Sequence, residues 1–271
     1  MIPLEDSYQD ITNKAIRGLG LTPENLAGEA GVTSAQLREF SDGTFSAEVA
    51  RKIAPLLGLD PEALVVSGER GWHPGEISVP GLWQFHNSAD MEPNFYLAHH
   101  AASGTAVAFD TGDDASDLLE ILAKLGCGLR ALCLTHTHHD HIADVSRIRA
   151  AYPAAELFIG ELEPISGAKL VRQGQVLTLG GLTLECRLTA GHSVGGITYV
   201  ISGFDQPLAI VGDAVFAGSM GGGGISWQGA LSTNRAQIFT LPDATVLCPG
   251  HGPLTSVALE KAHNPFYPEF K

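Results

Sequence analysis

The stretch "THTHHDH", residues 135–141, sets four histidines and one aspartate within seven positions, directly after the apolar run "LRALCL" (129–134). An apolar run of that length, rich in leucine, reads as a buried strand, so the cluster falls on the loop that leaves it. His136 and His138 lie two residues apart and face the same way while the chain is extended, so both can reach one cation. Asp140 and His141 follow once the chain starts to turn into a helix, and they can face a second cation beside the first. Neutral imidazoles with a carboxylate suit borderline first-row metals such as zinc, iron or manganese.

Working outward, short apolar runs alternate with amphipathic ones. "GTAVAFD" (104–110) reads as a strand and "SDLLEILAKLG" (116–126) as a helix stopped by Gly126. A helix-like "IADVSRIRAAY" (142–152) follows the histidine cluster. Further strands are expected near "AELFIGE", "LTLECRLTA", "ITYVIS", "PLAIVGDAVF" and "ATVLCPG", with one more helix near "STNRAQIF". Such alternation predicts an α/β architecture of sheets covered by helices. Three of these strands end on a lone ligand-type residue in a glycine-flanked turn: His192 in "GHSVGG", Asp213 in "VGDAVF" and His251 in "PGHG". Glycine lets backbone come close to a bound ion. Each residue alone could be an ordinary loop residue, but four strand ends supplying ligands make one site.

Residues 1–70 differ, reading only as short helices. Gly20 stops the first, Thr22 and Pro23 open the second, Thr33 and Gln36 form a capping box for the third, and Ser46 and Asp60-Pro61 start two more. The whole chain has 271 residues, 44% hydrophobic and 17% charged, with a formal net charge of −14. That balance fits a soluble, cytoplasmic globular protein. No apolar run approaches the length of a membrane span, and "MIPLEDSYQD" lacks the pattern of a signal peptide. The cysteines at 127, 133, 186 and 248 are scattered and look like small buried hydrophobes.

In the order H-x-H-x-D-H, Gly-His, Gly-Asp and Pro-Gly-His-Gly, the chain from about residue 75 resembles the metallo-β-lactamase fold superfamily. The resemblance implies an αββα sandwich over 71–271, preceded by a small all-helical domain over 1–70. It implies that His136, His138 and His192 hold one divalent metal, that Asp140, His141 and His251 hold another, and that Asp213 bridges both. Zinc is favoured for the two ions, with iron or manganese compatible. Asp110 matches the family's early aspartate, which supports the ligands from behind. "GDAVFAGSMGGGG" and the C-terminal "HNPF" resemble glyoxalase II-like hydrolases. The implied activity is hydrolysis of a small-molecule thioester or ester by a metal-bridging hydroxide, with Asp140 as the catalytic residue that handles its proton. True β-lactamases lack a bridging aspartate at the position of Asp213, which counts against antibiotic hydrolysis. The larger glyoxalases carry an extra C-terminal helical domain that grips glutathione, and none is expected here.

Two other functions fit the same residues less well. A mononuclear iron persulfide dioxygenase of this fold would use His136, His192 and Asp213, but its arginine after Gly-Asp is missing, the next being Arg235. A regulatory or interaction protein would not need the complete ligand set. Residues 21–59 also resemble a Cro/repressor-type helix-turn-helix with Gly31 at the turn. Charge argues against nucleic acid as a partner: residues 1–70 hold six Lys/Arg against eleven Asp/Glu. Packing or homodimer contacts are the expected use of that domain. The glycine run 221–224 fits either a mobile lid or a plain surface loop.

Overall fold

A computed structural model describes residues 1–86 and 93–271. Five helices come first: α1 (Tyr8–Leu19), α2 (Pro23–Ala30), α3 (Ser34–Ser41), α4 (Ala47–Ile53) and α5 (Pro61–Gly68). Their ends follow local chemistry. Gly20 and Gly31 close α1 and α2 in the left-handed conformation, and Thr33 and Gln36 form the capping box of α3. Helices α2 and α3 meet at Gly31 as the sequence suggests. Together these helices form an N-terminal helical region.

Two six-stranded sheets follow. The first holds β1 (Leu82–His86), β2 (Asn94–His100), β3 (Thr105–Phe109), β4 (Leu129–Cys133), β5 (Glu156–Gly160) and β6 (Lys169–Val171), side by side in chain order. From β3 to β6 the strands pair in parallel. Helix α6 (Ser116–Leu125) makes the crossover from β3 to β4, while α7 (His139–Ile142) and α8 (Val145–Ala151) make the next. The second sheet holds β7 (Val176–Leu179), β8 (Leu182–Leu188), β9 (Ile197–Ser202), β10 (Leu208–Gly212), β11 (Val246–Pro249) and β12 (Thr255–Ser256). Only β10 and β11 run parallel there, joined through α9 (Trp227–Gln237), and α10 (Val257–His263) follows β12.

Strand periodicity builds the layers. Tyr96, Ala98, Val107, Phe109, Ala131 and Cys133 face Leu184, Cys186, Tyr199, Ile201 and Ile210 between the sheets. The alternate residues Phe95, Leu97, Ala106, Ala108 and Leu132 pack outward against Leu118, Leu122 and Ile148 of α6 and α8. Strands buried on both faces read as unbroken apolar runs, which is why β3 and β10 are so plain in the sequence. The outer face of the second sheet, through Ala209, Val211 and Leu247, packs with α9 and with Ile11, Ala15, Leu26, Ile53 and Leu64 in one hydrophobic cluster. The N-terminal helices therefore share a core with the sandwich.

The expected helix 142–152 is two short helices broken at Ala143–Asp144, where the Asp144 amide donates to the Thr111 hydroxyl at 3.1 Å instead of to a helix carbonyl, and its carboxylate accepts the amide of Ala115 at 2.8 Å. Helix α9 starts five residues earlier than expected, at Trp227, capped by Ser226. Strands β1, β2, β6, β7 and β12 and helix α10 have no matching expectation from the sequence pattern; the first two flank the span 87–92.

Candidate metal centre

All seven expected residues meet at one edge of the sandwich. His136 and His138 leave β4, Asp140 and His141 lie on α7, and His192 follows β8. Asp213 follows the left-handed Gly212 at the end of β10, and His251 follows β11. His136, His138, His192 and Asp213 form one group and Asp140, His141 and His251 a second, with the donor atoms of each group within 4.8 Å of one another. Asp213 touches both. Its carboxylate lies 3.3 Å from His192 Nε2, 3.3 Å from His141 Nε2 and 3.5 Å from His251 Nε2. Asp140 Oδ2 stands 3.4 Å from His251 Nε2 and 3.8 Å from His141 Nε2.

The far sides of the rings are already engaged, which fixes where the lone pairs point. His141 donates from Nδ1 to Asp110 at 2.9 Å. Thr135 donates its hydroxyl to Asp110 at 2.7 Å and accepts from His136 Nδ1 at 3.0 Å. His192 donates from Nδ1 to the carbonyl of Gly222 at 2.9 Å, leaving Nε2 3.0 Å from His138 Nδ1. The Nε2 atoms of His136 and His141 and Oδ1 of Asp213 are buried with no hydrogen-bond partner. Buried polar atoms are rarely left so. Three convergent orphans among imidazoles and carboxylates fit a bound cation.

Electrostatics agree. Burial and the neighbouring His141 push His136 well below the ordinary histidine range, keeping it neutral as a ligand must be. Burial alone would raise Asp213, but His141 and His251 hold it well below the usual carboxylate range. Burial likewise opposes a charge on His251, yet Asp140 and Asp213 raise it to about 10, so these carboxylates draw positive charge to the site and a bound cation would have to displace that proton. Asp213, His136, His141 and His251 are buried, whereas His138 is exposed and His192 half-buried. The centre thus opens on the side of His138. His139, between the ligand positions, points to solvent.

Several supporting residues carry no signal in the sequence. Glu163 is buried. One of its oxygens accepts from the Thr137 amide at 2.8 Å and hydroxyl at 3.0 Å, and the other from the Gly195 amide at 2.8 Å. It therefore ties the His136–His138 loop to the His192 loop. Asn94 and Tyr96 of β2 hold the loop of His251, both donating to the Pro249 carbonyl, at 3.0 and 2.6 Å. The glycine run has a packing reason. A Cβ on Gly221 would stand 2.0 Å from the Asp213 carbonyl oxygen and 2.9 Å from His192 Nδ1. Ile225 and Ser226 then donate their amides to the Gly191 carbonyl, so the run is fastened at both ends to the loop of His192.

The chain belongs to the metallo-beta-lactamase superfamily, whose sequence model matches residues 91–251. It is similar to a probable metallo-hydrolase of Streptococcus pyogenes, 27% identical over 203 residues, covering 65% of this chain and 85% of that protein. The hydroxyacylglutathione hydrolase GloC of Haemophilus influenzae is 24% identical over 185 residues, 59% of this chain and 86% of the relative. Among solved structures, ETHE1 from Myxococcus xanthus superposes with a TM-score of 0.63 at 26% identity, covering 69% of this chain and 84% of that one. The B3 metallo-beta-lactamase BLEG-1 superposes at 0.59 with 28% identity, covering 68% and 98%. The chain is accordingly a member of a metallo-hydrolase superfamily. Among the described residues, no helix is long and apolar enough to cross a membrane.

Proposed function

We propose that the protein is a two-metal hydrolase of small thioesters or esters, of the hydroxyacylglutathione hydrolase type. The observation that carries this is Asp213, whose carboxylate reaches histidines of both groups at once. His136, His138 and His192 would hold one divalent cation and Asp140, His141 and His251 the other, with Asp213 shared and zinc favoured over iron or manganese. Such a pair, when bound, supplies a nucleophile at neutral pH and polarises a carbonyl oxygen. The chain's own residues do the rest. Asp140 Oδ2, beside His251 and at the rim of the second group, is the acceptor placed to orient the nucleophile and take its proton. Asp110, Thr135 and Gly222 keep three histidines in the tautomer that aims Nε2 inward. The exposed ring of His138 marks the side from which substrate enters. Similarity to GloC supports the thioester class.

The test is elemental analysis of protein purified without added metal, followed by a panel of thioesters and esters assayed on wild type and Asp213→Ala. Two equivalents of metal and thioester turnover lost in Asp213→Ala are expected. One iron per chain, with oxygen uptake on a persulfide, would replace this reading with the mononuclear dioxygenase. Wild-type turnover by Asp213→Ala would end the two-metal mechanism.

A further inference from the structure

The helical region is fastened to the metal centre at two points, one through the segment leading into α1 and one through that segment together with Lys14 of α1. First, the backbone at Pro3 and Glu5 lies on the loop of His251: a Cβ on Gly252 would stand 3.2 Å from the Glu5 nitrogen and 3.6 Å from the Pro3 oxygen. This brings Glu5 Oε2 to 3.9 Å from His251 Nδ1. That nitrogen is buried and has no hydrogen-bond partner, while the opposite nitrogen of the ring faces Asp140 and Asp213. A histidine that binds metal commonly gives its other N–H to a carboxylate, and Glu5 brings one to that side of the ring. Second, Asp6 accepts the Ser219 hydroxyl and pairs with Lys14, and Lys14 donates to the Met220 carbonyl at 2.9 Å. Both members of that ion pair are mostly buried, with side chains 6% and 14% exposed. Two residues past Met220 comes Gly222, whose carbonyl orients His192. Lys14 also lies over the ring of Phe216, which itself packs edge-on against His251.

We propose that Glu5, Asp6 and Lys14 form a strap by which the helical region positions one histidine of each group, His251 through Glu5 and His192 through the 219–222 loop. The inference rests on reading the site as a metal centre. It assigns the N-terminal helices a part in building that centre, and Glu5, Asp6 and Lys14 are positioning residues in it.

The experiment is a zinc titration of the full chain in competition with a chromophoric chelator, with the melting of the metal-free protein measured in parallel. Glu5→Ala should weaken one zinc equivalent about 10–100-fold and leave the other unchanged. Its metal-free melting temperature should stay at the wild-type value, since the Glu5 side chain is 34% exposed. Glu5→Gln, which keeps an acceptor oxygen, should recover part of the loss. The double variant Asp6→Asn/Lys14→Met removes both charges together, so neither is left stranded, and should weaken the other equivalent. Wild-type affinity for both equivalents in Glu5→Ala and in the double variant would overturn the strap and leave the metal centre standing. A wild-type chain that takes up no zinc, iron or manganese would overturn both.

Discussion

The Asp110 carboxylate accepts the Nδ1 proton of His141 at 2.9 Å, with both side chains buried, and it does so from a left-handed backbone conformation at φ 56°. The same carboxylate takes the Thr135 amide at 2.7 Å and, through the Thr135 hydroxyl, steadies His136. One aspartate thus supports a histidine in each group. Asparagine tolerates the left-handed region and can still take the Thr135 amide, but its NH2 faces the Thr135 hydroxyl and His141 Nδ1. Asp110→Asn should therefore lose about 1–2 kcal/mol and bind metal about 10–100-fold more weakly. Asp110→Ala leaves the Thr135 amide unpaired and adds backbone strain, so it should lose about 3 kcal/mol as well. Urea unfolding beside a zinc titration separates the two effects. Wild-type zinc affinity in Asp110→Asn would show that the carboxylate's charge plays no part.

Glu163 joins the His136–His138 loop to the His192 loop, more than fifty residues apart in sequence. Removing it strands the amides of Thr137 and Gly195 together. Burial would raise its carboxyl, but Gly195, Ser193 and Thr137 all donate to it and hold it below its ordinary value. Glu163→Ala should therefore cost about 3 kcal/mol and lower kcat/KM at least tenfold through the misplaced loops. Glu163→Gln turns one donor against another and should fall between. The measurement is kcat and KM on the best thioester together with thermal melting. A variant that melts lower yet keeps full kcat/KM would make Glu163 a stability residue only.

The candidate ligands are legible because a metal site imposes both residue type and spacing. H-x-H-x-D-H shows in seven positions, and each other ligand sits in a glycine-flanked turn at the end of an apolar run. Strands buried on both faces, such as β3 and β10, were legible for the same sort of reason. Glu163, Asn94, Tyr96 and Glu5 were not. They act on backbone or on the far side of a ring, where any well-placed acceptor or donor serves, so nothing constrains their neighbours in sequence. The two-residue strand β12 and the three-residue β6 are too short to show a period. The glycine run 221–224 had two plausible readings, and contact with Asp213 and His192 supplied a third.

Gly250 offers a sharper test of how closely the centre is packed. A Cβ there would stand 2.0 Å from Asp213 Oδ1 and 2.8 Å from His141 Cε1. Asp213 has no room to retreat, being held between His141 and His251. Gly250→Ala should abolish uptake of the full metal complement and bring turnover below detection, with the far-UV circular dichroism unchanged. Gly28, inside α2 with nothing within 4 Å, is the control. Gly28→Ala should raise stability by ~0.5–1 kcal/mol and leave metal content alone. Full metal content in Gly250→Ala would mean that Asp213 does not need the position it occupies here.

Glu260 gives a prediction in pH. It is fully buried on α10, where its carboxylate accepts from the Gly218 amide at 2.9 Å, the Thr255 hydroxyl at 2.6 Å and the Asn264 amide group at 2.8 Å. Burial outweighs these donors and raises it from 4.5 to about 7. The folded chain therefore holds this proton more tightly than the unfolded chain. The stability that follows is present below about pH 4.5 and is lost as pH rises through about 7, a fall of roughly 3 kcal/mol. Glu260→Gln removes the titration but leaves every other ionisable group in place. The stability of wild type relative to this variant should thus decline from pH 4.5 to 7 and then level off, as read from urea unfolding of the metal-free proteins. A difference that stays flat, or rises with pH, would show that the donors hold Glu260 ionised throughout and that the loop 216–220 is anchored by a permanent charge.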